Sequence, residues 1–222
     1  MMIDKELQHE VLDELEWEPS VEAAEIGVAA RDGVVTLTGS VPTYNEKVTA
    51  ERVAKRIHGV KAVANDIEVR PRNSVGHTDT DIAQAAINAL RWKTTVPDDQ
   101  VKVAVTKGWI TLEGEVDWHY QKESAEDAMR HLRGVLGVTN LIALKPRASA
   151  TEVRSRIESA FRRSAEVDAR KVLVETHDGK VTLKGDVRSW AERQEAERTA
   201  WAAPGVSAVE NRIAVSPYIT AY

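Results

Sequence analysis

The sequence contains no cysteine. Disulfides, thiolate nucleophiles and cysteine-ligated metal sites are therefore excluded. Aromatic residues make up only 5% of the 222 residues, and the charged start has no apolar run that could serve as a signal peptide or membrane span. We therefore expect a cytoplasmic location, peripheral at the membrane, or a periplasmic one if a leader has been removed.

The sequence also has little excess of charge of one sign. The formal net charge is -5, with -5 on residues 1–75, -1 on 76–147 and +1 on 148–222. The chain therefore lacks the basic stripe of a nucleic-acid-binding protein, and no nucleic acid is expected as a partner. A hydrophobic fraction of 42% beside 29% charged residues is that of a folded globular chain.

One short strand pattern occurs three times. Each copy places an apolar residue, threonine and leucine between two glycines six positions apart, and a third glycine follows twenty residues later. These glycines are Gly33, Gly39 and Gly59; Gly108, Gly114 and Gly134; and Gly179, Gly185 and Gly205. A repeat of this kind predicts a tandem array of three units, with the glycines in structural roles.

The first unit shows the order of elements. A helical stripe ends before Pro19, two alternating strands flank the Asp32-Gly33 pair that is typical of a type I′ hairpin, and Thr43 caps a second helix that we predict to end at Gly59. A third strand follows. Asparagines at one equivalent place inside this strand are interpreted as backbone-bonding residues at a bend: Asn65, Asn140 and Asn211.

A strand, helix and strand in this order make a right-handed crossover, so the third strand should run parallel to the second. The predicted fold class is α+β, with three tandem α-β-β-α-β units. Each unit should be a three-stranded mixed sheet with two helices packed on one face and the other face uncovered. The predicted domains are residues 1–72, 78–146 and 149–217.

This pattern resembles the BON domain family, which has a G-x-V-x-L-x-G second strand and a second helix closed by G-V. The resemblance spans nearly the whole chain in three copies, and the nine structural glycines carry it. It implies phospholipid binding or the tethering of proteins to membranes, in osmotic-shock and stress proteins of the bacterial envelope. It also implies an adaptor with no cofactor and no catalytic residues, which binds a phospholipid membrane surface or an envelope protein.

The loop after each second strand carries a bulky aromatic residue. These are Tyr44 in the first unit, Trp118 and Tyr120 in the second, and Trp190 in the third. Aromatic rings with a polar group suit the headgroup level of a bilayer, which makes them candidate lipid- or partner-binding residues. The alternative is that they fold back over the second helix of their own unit.

Basic residues give the third unit a second candidate surface for an anionic partner: Arg154, Arg162, Arg163, Arg170 and Lys171. The alternative is a solvated helix face. Trp17, Trp92 and Trp201 lie near helix ends and are expected in the core or between units. Trp109 should point outward from its strand onto the open sheet face and could form an interface.

The six histidines show no ligand spacing, so no metal site is predicted. Three functions remain. The first is a non-enzymatic membrane-associating or envelope-stress adaptor. The second is a protein-binding or self-assembling module that uses the open sheet faces, with a homo-oligomer as one outcome. The third is a small-ligand or ion sensor with a pocket between units two and three.

Overall fold

The computed structural model describes residues 4–72, 77–145, 153–164 and 171–216. The first unit consists of α1 (Asp4–Trp17), β1 (Ile26–Arg31), β2 (Val34–Val41), α2 (Tyr44–Ala54), β3 (Ala62–Asn65) and β4 (Glu68–Val69). The second consists of α3 (Asp79–Trp92), β5 (Val101–Thr106), β6 (Trp109–Val116), α4 (His119–Arg130), β7 (Gly137–Asn140) and β8 (Ala143–Leu144). The third consists of α5 (Val153–Arg163), β9 (Val172–His177), β10 (Lys180–Val187), α6 (Trp190–Trp201) and β11 (Ala208–Val215).

Each unit has its own sheet, in which the second strand lies in the middle. The first strand pairs with it antiparallel and the third strand pairs with it parallel. The predicted α+β class, the three tandem units and the parallel crossover are thereby confirmed. The predicted unit boundaries, near residues 73–77 and 146–149, fall largely outside the described residues and stay predictions.

The third strand departs from the prediction in the first two units, where it is split into two short strands. β3 and β4 both pair with β2, and β7 and β8 both pair with β6, so these sheets have four strands. In the third unit β11 pairs with β10 along its whole length. The break falls directly after Asn65 and Asn140, whose side-chain oxygens accept a hydrogen bond from the backbone N–H two residues further along. Asn211 accepts the same bond within the continuous β11.

Each core lies between the sheet and the two helices of its own unit. Alternate residues of the central strand face inward, and Val35 and Leu37 are fully buried, as are their counterparts in the other units. The stripes predicted on the first helices are buried in the same way. The opposite face of each sheet is not covered by the described helices.

The hairpins confirm the predicted type I′ turns. Asp32 has φ 53° and Gly33 has φ 83°, which are the two positive values that this turn requires. Lys107 adopts the same conformation with φ 50° in the second unit, although lysine is a poor residue there. The Asp79 carboxylate compensates, because it accepts hydrogen bonds from the backbone N–H groups of Lys107 and Gly108 at 2.7 and 2.8 Å.

The second helices end earlier than predicted. α2 ends at Ala54, five residues before Gly59, and α4 and α6 end four residues before Gly134 and Gly205. The chain continues in tighter turns, in which Arg56 N–H donates to the Val53 carbonyl and Ile57 N–H to the Ala54 carbonyl. The glycine ends this turn with a positive φ, so it still reverses the chain as expected.

Candidate functional site

Aromatic side chains join the units. The first residue of each second helix is aromatic: Tyr44, His119 and Trp190, each eleven residues after the first hairpin glycine. Tyr44 packs against the core of the second unit and hydrogen-bonds with the backbone of Val138. Trp190 packs against the core of the first unit, with Lys55 Nζ 5.5 Å from its ring centroid. Each of these two rings therefore packs against a unit other than its own.

The third contact completes a cycle. His119 of the second unit stacks on Trp201 of the third, with ring centroids 4.0 Å apart and ring planes 9° apart. Thus an aromatic residue of the first unit contacts the second unit, one of the second contacts the third, and one of the third contacts the first. Head-to-tail contacts that return to their starting point form a closed ring, so the chain is a pseudo-threefold ring of three units.

The receiving positions are also equivalent. Lys55, Arg130 and Trp201 each stand twenty-two residues after the first hairpin glycine. Lys55 lies over Trp190, Trp201 stacks on His119, and the charge of Arg130 acts on Tyr44. In all three contacts the first residue of one second helix meets the same equivalent position in the next unit. Equivalent residues of the units therefore lie at the same level along the axis of the ring.

An asparagine network fixes each second helix to its third strand. The Asn140 side-chain amide donates to the Lys122 carbonyl at 2.9 Å and to the Glu126 carboxylate at 3.2 Å, and its oxygen accepts from Ile142 N–H at 3.2 Å. Asn65 and Asn211 make the same three bonds. The predicted backbone-bonding role is confirmed. The contact with a glutamate that borders the ring interface was not predicted.

Burial keeps the stacked histidine neutral. It lowers the pKa of His119 to about 4, with Lys122 adding to this effect and Glu197 and Glu126 opposing it. Glu123 lies 3.6 Å from the ring nitrogen Nδ1, and burial raises the pKa of that carboxyl group. At neutral pH an uncharged imidazole therefore stacks on the indole of Trp201.

A polar cavity opens beside this stack. Its volume is about 510 Å³, and it lies between α4 of the second unit and Glu197 of α6. Its lining mixes basic and acidic groups, among them Lys122, Glu126 and Arg130. No group of three or more histidine, aspartate or glutamate side chains suited to a metal ion occurs within the described residues. The predicted pocket between units two and three thus has a location, and its ligand stays a prediction.

Two tryptophans at equivalent positions are almost fully exposed. Trp17 and Trp92 are the last residues of α1 and α3, and their exposed fractions are 82% and 86%. The expectation that they pack in the core or between units is wrong. Both lie off the buried stripe, two residues beyond Leu15 and Leu90, which is the signal that could have shown it. Arg163, the last residue of α5, holds the equivalent place in the third unit.

The predicted loop aromatics fall into two groups. Tyr44 and Trp190 are partly buried in the contacts between units, so neither the membrane alternative nor packing on their own helix alone describes them. Trp190 does contact Arg193 of its own helix, at 4.8 Å. Tyr120 is 52% exposed, while Trp118 precedes α4 as its N-cap residue and is partly exposed.

The predicted basic residues lie along α5 and after it, and their role as a surface for an anionic partner stays a prediction. Arg154 is exposed and its Nε donates to Glu158 one turn along α5, at 2.7 Å. Arg162 and Arg163 are exposed at the C-terminal end of the same helix, and Lys171 is partly buried. Arg170 lies outside the described residues. The end of α5, and not the whole helix, is the basic feature that the structure presents.

Trp109 lies where the sequence predicts, on the open sheet face of the second unit. It is 49% exposed, and its ring covers Gly137, where an added Cβ would lie 2.4 Å from a ring carbon. Its indole N–H donates to the Thr139 hydroxyl at 2.8 Å. The corresponding face of the third unit carries ion pairs of Lys184 with Glu175 and of Lys180 with Glu210.

These features define a class of protein: a tandem array of two-layer modules that aromatic residues join into a ring. The chain belongs to the BON domain family. The profile of the BON domain matches residues 3–71, 78–146 and 149–217, which is nearly the entire sequence.

Three curated relatives share about a third of the matched residues. The chain is 32% identical over 130 residues to osmotically-inducible protein Y of Escherichia coli K12, which covers 57% of this chain and 65% of that protein. It is 31% identical over 123 residues to the 21 kDa hemolysin of Actinobacillus pleuropneumoniae, covering 54% and 63%. It is 28% identical over 144 residues to the outer membrane lipoprotein DolP of Haemophilus influenzae, covering 60% and 69%. The match thus spans just under two thirds of the first two relatives.

Among solved structures, CdsD, a structural protein of the type III secretion system of Chlamydia trachomatis, aligns with 95% of this chain and 92% of its own at 15% identity, with a TM-score of 0.28. A likeness at that level carries no conclusion. Within the described residues, no helix has the length and apolar character needed to cross a membrane. The relatives give no support to the expected cytoplasmic location, because one of them is by name an outer membrane lipoprotein.

Proposed function

We propose that this protein associates peripherally with anionic phospholipid membranes, as an adaptor in the stress response of the bacterial envelope. The observation that carries the proposal is the pair Trp17 and Trp92, each more than four-fifths exposed. Tryptophan is costly to leave in water and is enriched at the headgroup level of bilayers. Two of them at matched helix ends favour a contact surface over chance exposure.

The ring makes these side chains act together. Equivalent residues lie at one level along the pseudo-threefold axis, and we take this level for the ends of α1, α3 and α5 to be at one face of the ring. We define the membrane face by Trp17, Trp92, Arg162 and Arg163. A flat bilayer could meet all of them at once, and the weak contacts would then add through effective concentration.

Charge favours the third unit in this contact. Arg162 and Arg163 close α5, whereas Glu16 and Glu18 flank Trp17. Arg91 and Lys93 flank Trp92, but they pair with Asp98 at 3.9 Å and with Asp127 at 3.2 Å. A basic residue near an anionic leaflet contributes about 1 kcal/mol. We therefore assign most of the electrostatic attraction to the third unit, while Trp17 and Trp92 contribute mainly through their rings.

Vesicle co-sedimentation tests this proposal. The full chain should bind vesicles that contain anionic phospholipid and bind neutral vesicles at least tenfold less. Trp92→Ala should weaken binding about tenfold, and the double variant with Trp17→Ala should abolish it. Trp109→Ala, which removes an exposed tryptophan from the sheet face, is the matched control and should bind like the parent chain. Equal binding by the double variant and the parent would contradict the proposal.

The relatives support the physiological part. One is named for its induction by osmotic stress and another is named as an outer membrane lipoprotein. We place this chain in the same setting, with an envelope surface as its partner. A strain that lacks the protein should recover more slowly from an osmotic upshift, and the double tryptophan variant should fail to restore recovery while Trp109→Ala restores it.

A second candidate function is protein binding through the open sheet of the second unit. Trp109 favours it, because the residues around the ring, Thr111, Thr139 and Gly137, are uncharged, and Leu141 nearby is 58% exposed. Light scattering of the full chain would detect self-assembly through this face. Under this alternative Trp109→Ala dissociates the oligomer, whereas a monomeric parent chain counts against self-assembly.

A further inference from the structure

The two helices of the third unit leave a groove between them. It has a volume of about 610 Å³, within the range of about 300–1,000 Å³ that small-molecule sites occupy. Its floor and walls are apolar or small: Ile157, Ala160, Thr199, Ala202, Ala203 and Pro204. Arginines stand at its rim, and one of them is Arg163 of the membrane face.

A sequence difference between the units accounts for the groove. Ala203 occupies the position that Ile57 holds in the first unit and Leu132 in the second, twenty-four residues after the hairpin glycine. Ile57 and Leu132 both pack against the cores of their units. The third unit therefore lacks the large branched side chain that fills this space in the other two units.

Arginines predominate among the described residues of the rim. Arg156, Arg163 and Arg198 line this part of the groove, beside one described acidic residue, Glu195. Arg198 pairs with Glu195 at 2.7 Å, so that carboxylate is already neutralised. An arginine can hold a carboxylate through two parallel hydrogen bonds. An apolar groove with arginines at its rim is complementary to a molecule that has an alkyl chain and an anionic group at one end.

We infer that the groove between α5 and α6 binds a free medium-chain fatty acid, with its alkyl chain against Ala160, Ala202 and Ala203 and its carboxylate at Arg163. The inference rests on the proposed function, because Arg163 belongs to the membrane face, from which such a molecule would enter. Where the first two units present a tryptophan, the third presents the anion-binding mouth of a groove.

Isothermal titration of the full chain with decanoate below its micelle concentration tests the inference. Decanoate should bind with one-to-one stoichiometry, decanol should bind at least tenfold more weakly because it lacks the charge, and acetate should not bind because it lacks the chain. The inference would be contradicted if acetate bound as tightly as decanoate, or if decanoate did not bind.

Two substitutions borrowed from the sister units locate the site. Ala203→Leu installs the residue of the second unit, and it should reduce decanoate affinity at least tenfold while vesicle binding persists. Arg163→Trp should also reduce decanoate affinity at least tenfold, yet strengthen vesicle binding. Arg154→Gln removes a charge from the same helix outside the groove and should change neither. If Ala203→Leu misfolds by circular dichroism, Ala203→Ile, which installs the residue of the first unit, takes its place.

Failure of the two proposals is distinguishable. Equal vesicle binding by the parent and the double variant of Trp17 and Trp92, together with normal decanoate binding, would contradict the membrane face and leave the groove assignment standing. Unchanged decanoate affinity in both Ala203→Leu and Arg163→Trp would overturn the assignment of the groove, whatever the vesicles show.

Discussion

His119 of the second unit and Trp201 of the third lie face to face, 4.0 Å apart between ring centroids. The stack joins two units that the chain connects only through a short segment, and its counterparts at Tyr44 and Trp190 join the remaining pairs. These contacts hold the three domains together in one ring. The proposed membrane face depends on this arrangement, since the ring places the ends of α1, α3 and α5 at one level.

The first prediction concerns pH. Burial lowers the pKa of folded His119 to about 4, below the usual value near 6.5 of the unfolded chain. Between these values the unfolded state binds more protons, so the free energy of unfolding contributed by this group should be complete above pH 6.5 and lost as the pH falls toward 4. Urea denaturation at a series of pH values measures this loss.

The matched control is His119→Tyr, because tyrosine holds the same position in the first unit. The variant should keep a ring on Trp201 but show a smaller decline in stability between pH 6.5 and 4. Glu123, Glu126, Glu197 and Lys122 also surround this position, and they are unchanged in the variant. Identical pH profiles for the variant and the parent would contradict the assignment.

The second prediction concerns closure of the ring. Trp190→Ala should destabilise the protein by about 3 kcal/mol or more, since it removes a large ring packed against the first unit. The loss should be shared by two units that are far apart in sequence. Hydrogen exchange should therefore speed up in the first unit as well as in the third. Protection lost from the third unit alone would mean that the ring does not close.

The third prediction concerns the asparagine network. Asn140→Ala should cost about 2–3 kcal/mol, because three hydrogen bonds are lost at about 1 kcal/mol each. Asn140→Asp should cost more, because it would place a carboxylate against Glu126. Thermal denaturation ranks the two variants, and an aspartate variant as stable as the parent would refute the proposed contact.

The fourth prediction concerns Gly114. It has φ 133°, and an added Cβ would lie 2.0 Å from the Gln100 carbonyl oxygen, a backbone atom that cannot move aside. Gly114→Ala should cost at least about 3 kcal/mol, as backbone strain of about 1–3 kcal/mol adds to this clash. Gly137→Ala is the control. Its Cβ would meet the exposed ring of Trp109, which can swing into solvent, so the loss should be far smaller.

The fold was largely predictable, because periodicity and turn chemistry act locally. Alternation around Val35 and Leu37, the Asp32-Gly33 pair and the repeated glycines each determine their own neighbourhood. The early ends of the second helices were missed because a glycine shows where the chain must reverse, and it does not show how many residues the tighter turn before it uses.

The functional surface was less predictable, because it depends on how the units meet. Tyr44 and Trp190 are residue types that are typical of membrane interfaces, yet their rings pack against neighbouring units. His119 was judged only as a metal ligand, although its place at the start of a helix matches theirs. Trp17 and Trp92 were expected in the core or between units because they lie near helix ends, although their position off the buried stripe indicates the exposure that the structure shows.

The most direct test follows each tryptophan in the unmodified sequence. In protein that carries 5-fluorotryptophan, fluorine NMR with anionic vesicles containing a spin-labelled lipid should broaden the resonances of Trp17 and Trp92, and leave those of Trp190 and Trp201 sharp relative to them. Broadening of Trp109 in place of Trp17 and Trp92, or equal broadening of all six, would contradict the membrane face proposed for this ring.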